Sequence, residues 1–174
     1  ILDRIVIAVA SGAIFVRLGN FFNSEIVGNI TSSPFGVRFV RDQFSTREAV
    51  NATQLASPNE AYNAIATNTQ FADLLLQVPA KHPAQLYEAF SYIFVFAILF
   101  FLYWKTNVRE KSGYLFGLFL VLLWSVRFVV EYVKESQGGF ESSLGLLTTG
   151  QWLSIPFILI GLYFVFTAEK PVHL

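Results

Sequence analysis

The sequence contains no cysteine, so disulfide bonds, thiolate metal sites and a cysteine nucleophile are excluded within this chain. It has only two histidines, which also excludes a histidine-rich metal cluster, and we expect neither a metal nor a cofactor. Methionine is absent as well, and from Ile1 the chain enters a hydrophobic segment almost at once. We therefore expect residues 1–174 to be a piece of a longer protein.

Charge is also scarce. Charged residues make up 14% of the chain, whereas soluble domains carry about 25%. Hydrophobic residues account for 54%, and the mean hydropathy is +0.52. This composition predicts an integral membrane protein. The formal net charge of zero argues against nucleic acid as a partner, because nucleic-acid binding calls for a basic patch.

Long apolar segments are what the sequence does have. A helix that crosses a bilayer needs about 20 mostly apolar residues, and four segments qualify, at roughly 3–22, 84–104, 114–133 and 150–168. We predict an all-α integral membrane protein in which residues 1–174 form one membrane domain, with a long loop at 29–81 between the first two helices. The weakly periodic stretch 59–78 in that loop predicts a surface helix. We interpret the aromatic run at 90–104 as lipid-facing surface and packing.

The orientation of the helices follows from the connection at 105–113, which carries the densest basic cluster of the chain, Lys105, Arg109 and Lys111. Basic residues in short loops favour the cytoplasmic side. The alternating helix ends then place the 29–81 loop outside, and the polar residues within the four helices fall at one depth, in the outer leaflet. These residues are Arg17, Asn20, Glu25, Gln85, Glu88, Arg127, Glu131 and Gln151.

Two arginines among carboxylates and amides at headgroup depth are suited to an anionic phosphate. A guanidinium group matches phosphate oxygens and stays charged when partly buried. Neighbouring carboxylates would hold the arginines in place, and Gly19 and Gly28 would let the backbone turn sharply or approach closely. These residues predict a phospholipid-headgroup site that opens to the outer leaflet.

Each part of this site also has a structural interpretation. Arg127 and Glu131 are four residues apart and could form an ion pair along one helix. Arg17 could extend to the interface with no other role. Glu88 could pair with His82 or Lys81 near a helix start, where acidic residues are favoured.

Two other classes of function therefore stay open at this point. One is a transporter or channel whose charges line a permeation path, and the other is a structural membrane subunit held together by ion pairs. The inner halves of the second and third helices are wholly apolar, which argues against a path. Exchanging Arg127 and Glu131 would separate an ion pair from a phosphate site.

Five sequence blocks carry a family resemblance. The block RLGNFFNSEIVG (17–28) closely resembles the signature of the prolipoprotein diacylglyceryl transferases, Arg-x-Gly-Asn-Phe-x-Asn-x-Glu-x-x-Gly, at every fixed position. Four further blocks resemble the family's motifs in the same order, namely PFGVRF (34–39), HPAQLYEA (82–89), RFVVEYVKE (127–135) and LTTGQWLSIP (147–156). The chain resembles the C-terminal portion of this family, with an expected insertion at about 43–78.

The resemblance implies a multi-pass enzyme of the bacterial inner membrane. Such an enzyme transfers the diacylglyceryl group of phosphatidylglycerol to the lipobox cysteine thiol of a prolipoprotein, so that a thioether forms and glycerol phosphate leaves. The implied partners are phosphatidylglycerol, lipobox-bearing prolipoproteins and membrane lipids. The family also has an upstream half, absent here, with a candidate acceptor for the thiol proton. We therefore expect residues 1–174 alone to be inactive.

The resemblance also assigns roles to individual residues. Arg17 and Arg127 would contact the phosphate or stabilise its charge, Glu25 and Glu131 would orient the arginines, and Asn20 would hydrogen-bond the substrate. Gly28 would give backbone room. The implied catalytic set is Arg17, Asn20, Glu25, Arg127 and Glu131. The implied phosphatidylglycerol contacts are Arg17, Asn20, Gly28, Glu88 and Arg127, with His82, Gln85 and Gln151 in support.

Overall fold

The computed structural model describes residues 1–135 and 147–169, and these are predominantly helical. The helices are α1 Leu2–Phe22, α2 Val40–Gln43, α3 Thr46–Thr53, α4 Pro58–Thr67, α5 Ala72–Gln77, α6 Ala84–Lys105, α7 Tyr114–Val130 and α8 Thr149–Thr167. Short 3-10 turns lie at Thr69–Phe71, Asn107–Glu110 and Glu131–Val133. Two short strands, β1 Val37–Arg38 and β2 Ala80–Lys81, pair antiparallel. The predicted all-α class is confirmed.

The predicted membrane spans are confirmed as well. Among the described residues, four helices are long and apolar enough to cross a membrane, at Leu2–Phe22, Ala84–Lys105, Tyr114–Val133 and Thr149–Thr167. Helix α6 begins directly after His82-Pro83, since the fixed φ of proline favours the start of a helix. The third span ends as a 3-10 turn over Glu131–Val133. The protein is a multi-pass membrane protein.

The chain divides into two compact units. The first comprises Ile1–Leu18, Leu86–Tyr132 and the described residues of Ser136–Leu174. The second comprises Gly19–Gln85 and Val133–Glu135. This division reflects backbone contacts, and the interpretation of 1–174 as one membrane domain with an insertion at 43–78 stays a prediction.

The core of the first unit lies among its membrane-spanning helices. It consists of Val6, Ala10, Tyr92, Val95, Leu99, Leu115, Phe119 and Leu120. Large apolar side chains on the other faces of the same helices are exposed, as Phe15, Phe94 and Phe166 are. Apolar residues that point outward are expected for helices whose solvent is lipid.

Asp3 joins α1 to the start of α7. Its Oδ2 accepts a hydrogen bond from the backbone N–H of Gly113 at 2.8 Å, and its Oδ1 accepts one from Phe116 N–H at 2.9 Å. The carboxylate thus satisfies N–H groups that a helix start leaves without partners, at the end where negative charge is favoured. The start of α1 and the 105–113 connection therefore lie at the same end of the unit, as the predicted alternation requires.

Helices α7 and α8 cross at a pair of glycines. A Cβ placed on Gly161 would lie 2.7 Å from the carbonyl oxygen of Gly117, and one placed on Gly117 would lie 2.6 Å from the carbonyl oxygen of Gly161. Small residues at such a crossing let two membrane helices approach closely, which strengthens their van der Waals packing.

We expect Gly161→Ala to destabilise the protein by about 1–3 kcal/mol, as overpacked contacts do. The matched control is Gly12→Ala in α1, where a Cβ meets nothing within 4 Å. Alanine exceeds glycine in helix propensity by about 1 kcal/mol, so the control should unfold at the wild-type temperature or above it. Thermal unfolding of both purified variants in detergent checks this. An unchanged or raised midpoint for Gly161→Ala would contradict the packing argument.

The second unit has its own small core. It contains Val40, Ala49, Ala61, Tyr62, Ile65 and Val78. Helix α3 begins with a capping box in which the Ser45 side chain accepts from Glu48 N–H and the Glu48 side chain accepts from Ser45 N–H. Helix α4 begins with Pro58 in its first turn. These start signals fix short helices around the apolar cluster.

The prediction of one surface helix over 59–78 is wrong. Helix α4 ends at Thr67, and Asn68 is extended, with its side chain accepting from Gln70 N–H at 3.0 Å. Asparagine side chains that bond to nearby backbone compete with helical hydrogen bonds, so the helix stops and resumes as α5. The stretch is not a purely surface element either, because Ala61 and Ile65 are fully buried.

Candidate functional site

A buried ion pair lies between α1 and α6 in the first unit. The Nε atom of Arg17 is 2.8 Å from Oε2 of Glu88, and the two side chains are 10% and 0% exposed. A charge buried this far is tolerated only with a partner. Glu88 therefore accounts for an arginine inside a hydrophobic helix, and a role limited to reaching the interface does not fit so buried a side chain.

A cavity of about 430 Å³ adjoins this pair. Its lining residues come from α1, α6 and α7, and they are Val9, Gly12, Ala13, Val16, Arg17, Tyr92, Leu123 and Arg127. Both arginines that the sequence singled out therefore face one cavity whose other walls are mostly apolar. Its volume is within the range of small-molecule sites, and its surface suits a molecule with apolar chains and an anionic group.

Tyr92 is the cavity residue that sequence reasoning missed. It is 2% exposed, which agrees with the packing expected of the 90–104 run, but its place in the cavity lining was not predicted. The side chain also lies within electrostatic reach of Glu88, Arg17 and Arg127. One signal could have found it, since Tyr92 follows Glu88 by four residues and shares its helix face.

Glu131 lies at the start of α8. A Cβ on Gly150 would overlap the Glu131 carboxylate, so the absent side chain of Gly150 makes room for it. The first turn of α8 is closed by a capping box between Thr148 and Gln151, and a helix start favours negative charge. The Gln151 Nε2 atom also donates to the Phe128 carbonyl oxygen at 3.4 Å. The structure thus brings Glu131 and Gln151 to one contact between α7 and α8.

In the second unit, a tight turn after α1 brings together three of the predicted residues. Ser24 and Ile26 have positive φ values of 57° and 56°, and the N–H of Glu25 donates to the carbonyl oxygen of Asn20 at 2.8 Å. The buried Gln85 donates from Nε2 to the Glu25 carbonyl oxygen at 2.6 Å. Gln85 therefore holds the turn through the backbone of Glu25, whose side chain is exposed.

One oxygen of Gln85 stands out. Gln85 is fully buried, and its Oε1 atom has no hydrogen-bond partner among residues 1–135 and 147–169. A buried polar atom without a partner is uncommon and calls for an explanation such as a water or a ligand.

Gly28 lies in an extended segment that is hydrogen-bonded to two other segments, one at His82 and one at Val133. Its N–H donates to the His82 carbonyl oxygen at 2.9 Å, His82 N–H donates to Asn29 O at 2.9 Å, and Asn29 N–H donates to Val133 O at 2.7 Å. A Cβ on Gly28 would lie 2.5 Å from the His82 carbonyl oxygen and 2.7 Å from that of Val133. The observed role of Gly28 is a close approach of backbones, and its predicted role in binding lipid stays a prediction.

Lys81 joins its own segment by charge to α2 and to the segment that follows Val133. Its Nζ atom lies 2.8 Å from Oδ2 of Asp42 and 2.8 Å from Oε2 of Glu135. Burial alone would lower the pKa of Lys81, but the hydrogen bonds to Asp42 and Glu135 outweigh it and leave the pKa above its usual value. A raised pKa means that the stabilisation is present at neutral pH and is lost only as the pH rises through the raised value. This triad was not predicted, because its members are far apart in sequence.

Four apolar helices and a cavity that two arginines line define a multi-pass membrane protein with a buried charged site. Comparison with known families assigns it further. A model of the prolipoprotein diacylglyceryl transferase family matches residues 1–167, and the chain belongs to this family. The resemblance found in the five sequence blocks is confirmed.

Individual relatives agree with this assignment. The chain is 36% identical over 168 residues to the phosphatidylglycerol–prolipoprotein diacylglyceryl transferase of Tolumonas auensis. The aligned region covers 97% of this chain and 51% of the relative. The chain is 35% identical over 170 residues to the protein of the same name from Bacteroides fragilis, covering 98% and 49%. It is 33% identical over 174 residues to that of Chloroherpeton thalassium, covering 100% and 52%. The chain spans about half the length of the relatives it matches.

Proposed function

We propose that this chain belongs to an enzyme that transfers the diacylglyceryl group of phosphatidylglycerol to the lipobox cysteine thiol of prolipoproteins, the first step of bacterial lipoprotein maturation. The observation that carries the proposal is the cavity in which Arg17 and Arg127 share mostly apolar walls, in a chain of this family. The names of the relatives supply the substrate class.

The cavity suits an anionic phospholipid in two ways. Its apolar wall on α1 includes Val9 and Val16, which are exposed and can lie against acyl chains. Its arginines supply planar sets of N–H donors that match phosphate oxygens. In this arrangement the phosphate of phosphatidylglycerol lies at the guanidinium groups and its chains extend along the apolar wall.

The proposed reaction is a displacement at the carbon of the diacylglyceryl group that carries the phosphate. The substrate thiolate attacks that carbon, a C–S bond forms, the C–O bond to phosphate breaks, and the electron pair leaves with glycerol phosphate. Preorganised positive charge stabilises the charge that develops on the departing phosphate. Arg17, held by Glu88, and Arg127 do this, and the Tyr92 hydroxyl adds a hydrogen bond within the same cavity. The thiol proton goes to an acceptor that the described residues do not identify.

The other residues of the predicted site are proposed to support the arginines or the backbone around the site, or they keep the roles that the family match implies. Glu131, placed at the start of α8 by Gly150, orients Arg127, and Gln151 supports that helix contact. The roles that the family match gives to Asn20, Glu25 and Gly28 stay predictions. His82 supports the site through its backbone, which accepts a hydrogen bond from Gly28 N–H. Gln85 supports it through its side chain, which donates to the Glu25 carbonyl oxygen.

We further propose that the protein lies in the bacterial inner membrane with the cavity at outer-leaflet depth. Support comes from the basic 105–113 connection, which favours the cytoplasmic side. The contact of Asp3 with Gly113 joins the start of α1 to that connection, whereas Arg17 lies towards the other end of α1.

A transporter or channel is not favoured. A permeation path requires polar groups at several depths. The core that α1, α6 and α7 form between the Asp3 contact and the cavity consists of apolar side chains such as Val95, Leu99 and Phe119.

The test is a transfer assay with the complete gene product in proteoliposomes. The protein is incubated with phosphatidylglycerol and a lipobox peptide, and the peptide is followed by mass spectrometry. We expect a diacylglyceryl mass gain that a Cys→Ser peptide does not show. Arg17→Ala and Arg127→Ala should each lower the rate by about 100-fold or more, the usual loss when one charge-stabilising donor is removed.

Arg109 provides the matched control, because it lies in the 3-10 turn Asn107–Glu110, outside the cavity lining. Arg109→Ala should transfer at the wild-type rate, and residues 1–174 alone should not transfer. A folded wild-type protein that binds phosphatidylglycerol but gives no mass gain would overturn the proposed function. Full activity of Arg127→Ala would overturn the proposed site.

A further inference from the structure

The guanidinium group of Arg127 lies on the face of an aromatic ring. Its Cζ atom is 4.9 Å from the centroid of the Trp124 ring. The Trp124 ring is itself stacked on Phe157 of α8, with centroids 4.3 Å apart and planes inclined by 7°. Trp124 therefore contacts both Arg127 on its own helix and Phe157 on α8, and so joins α7 to α8.

A cation–π contact of this kind is made to the ring face and needs no hydrogen-bond acceptor. The five N–H donors of arginine lie in the guanidinium plane and point outward from its edge, where they can meet other acceptors. The Nε atom of Arg127 is buried and has no hydrogen-bond partner among the described parts of the chain. Arg127 also lines the cavity, so N–H groups of its guanidinium group are placed where a ligand in that cavity can accept from them.

The two cavity arginines are therefore held differently. The Nε atom of Arg17 is 2.8 Å from a fully buried carboxylate oxygen of Glu88, so a charged partner holds this group. The guanidinium carbon of Arg127 lies over a neutral ring instead, so a cation–π contact holds this group.

We propose that Trp124 is a positioning residue of the transferase site: backed by Phe157, it fixes the guanidinium plane of Arg127 so that its edge donors meet the phosphate of the anionic lipid. This inference rests on the proposed function. Trp124 acts through Arg127 and does not itself contact the substrate. Loss of the ring's negative face should weaken the hold on Arg127, and transfer should slow although the charge of Arg127 is unchanged.

Ring fluorination tests this without changing the packing. Mono-, di- and trifluorotryptophan are introduced at position 124 of the complete gene product by nonsense suppression. Each fluorine withdraws electron density from the ring face, which weakens a cation–π contact, while the ring keeps nearly the same size. We expect kcat/KM for phosphatidylglycerol to fall stepwise, by about three- to tenfold for the trifluoro ring, with unchanged thermal stability.

Trp104 is the matched control. It is 59% exposed, and its described ring contacts are Phe100 and Tyr103, so the same fluorination there should leave the rate unchanged. Conventional variants provide a second measurement, in which Trp124→Phe should retain more activity than Trp124→Leu because phenylalanine keeps an aromatic face.

The outcomes separate the two proposals. A stepwise fall at position 124 with no change at Trp104 supports the inference. Equal rates across the fluorinated series at position 124, in a wild-type background that transfers, would overturn the role of Trp124 and leave the transferase intact. An inactive wild-type protein that binds lipid would overturn the proposed function, and this inference with it.

Discussion

Replacing Glu88 by leucine is expected to destabilise the protein by about 3–5 kcal/mol, because the variant leaves a buried arginine without its carboxylate. Glu88 is fully buried, and its Oε2 atom is 2.8 Å from Nε of Arg17. Arg17→Met alone should also destabilise, since it leaves the carboxylate buried instead. Removing either partner should therefore be worse for folding than the ordinary loss of a contact.

The double variant Arg17→Met/Glu88→Leu is the informative member of the series. Replacing both partners of a buried pair by apolar side chains of similar size is often neutral or stabilising, so we expect its stability to return close to that of the wild type. Transfer should nevertheless stay lost, by about 100-fold or more, because the phosphate has lost one of its two guanidinium groups. Folding and activity should thus separate in this variant.

All four members of this double-mutant cycle are measured by thermal unfolding in detergent and by the lipobox-peptide assay. A double variant that is stable and fully active would mean that the pair only holds α1 to α6, as in a structural membrane subunit. A double variant as unstable as Glu88→Leu would contradict the expected energetics of the pair. The expected result, stable and inactive, assigns Arg17 a role that an ion pair does not explain.

The sequence predicted the membrane helices well because their signal is local. Each span is a continuous apolar segment, and Pro83 marks the start of α6 directly. The break between α4 and α5 was missed, although its cause at Asn68 is also local. An asparagine within a weakly apolar stretch is compatible with both a continuous helix and a stop, so only the observed side-chain hydrogen bond decides.

The site was predictable as a set of residue types but not as a set of contacts. The arginines and carboxylates could be assigned to one depth from their positions along each helix. Which carboxylate meets Arg17 depends on the rotation of α1 and α6 about their axes, and the answer is Glu88. Tyr92 was hidden within an aromatic run for the same reason. Its burial follows from which face of α6 meets the rest of the unit, and helix length and composition do not determine that.

The contacts of the two glycines in the first sequence block, Gly19 and Gly28, could not be predicted from the sequence either. Their surroundings in the structure lead to opposite expectations for substitution by alanine. Gly19 is an interior residue of α1, and a Cβ there would meet nothing within 4 Å. A Cβ on Gly28 would lie 2.5 Å from the His82 carbonyl oxygen, 2.6 Å from the His82 Cβ and 2.7 Å from the Val133 carbonyl oxygen. In the sequence both are simply glycines of one motif.

We expect Gly28→Ala to destabilise the second unit by about 3 kcal/mol or more, at the upper end for overpacked sites, because no flexible side chain can move aside. Two of the three overlapping atoms are backbone oxygens that belong to different segments. Relieving the overlap must therefore separate residue 28 from His82 or from Val133, and with it the hydrogen bonds that Asn29, His82 and Glu135 make there. Gly19→Ala should be neutral or stabilising by up to about 1 kcal/mol, since alanine is the better helix former.

Hydrogen exchange on both variants measures this directly. In Gly28→Ala, the amides of Asn29, His82 and Glu135 should lose protection, whereas in Gly19→Ala they should exchange as in the wild type. Wild-type protection at these amides in a normally folded Gly28→Ala variant would show that the three segments can accommodate a Cβ at residue 28. The need for glycine there would then rest on its predicted contact with lipid. Loss of protection together with loss of transfer would instead mean that Gly28 acts on the site through the backbone it allows to pass. Hydrogen exchange together with the transfer assay thus separates the two roles of this residue.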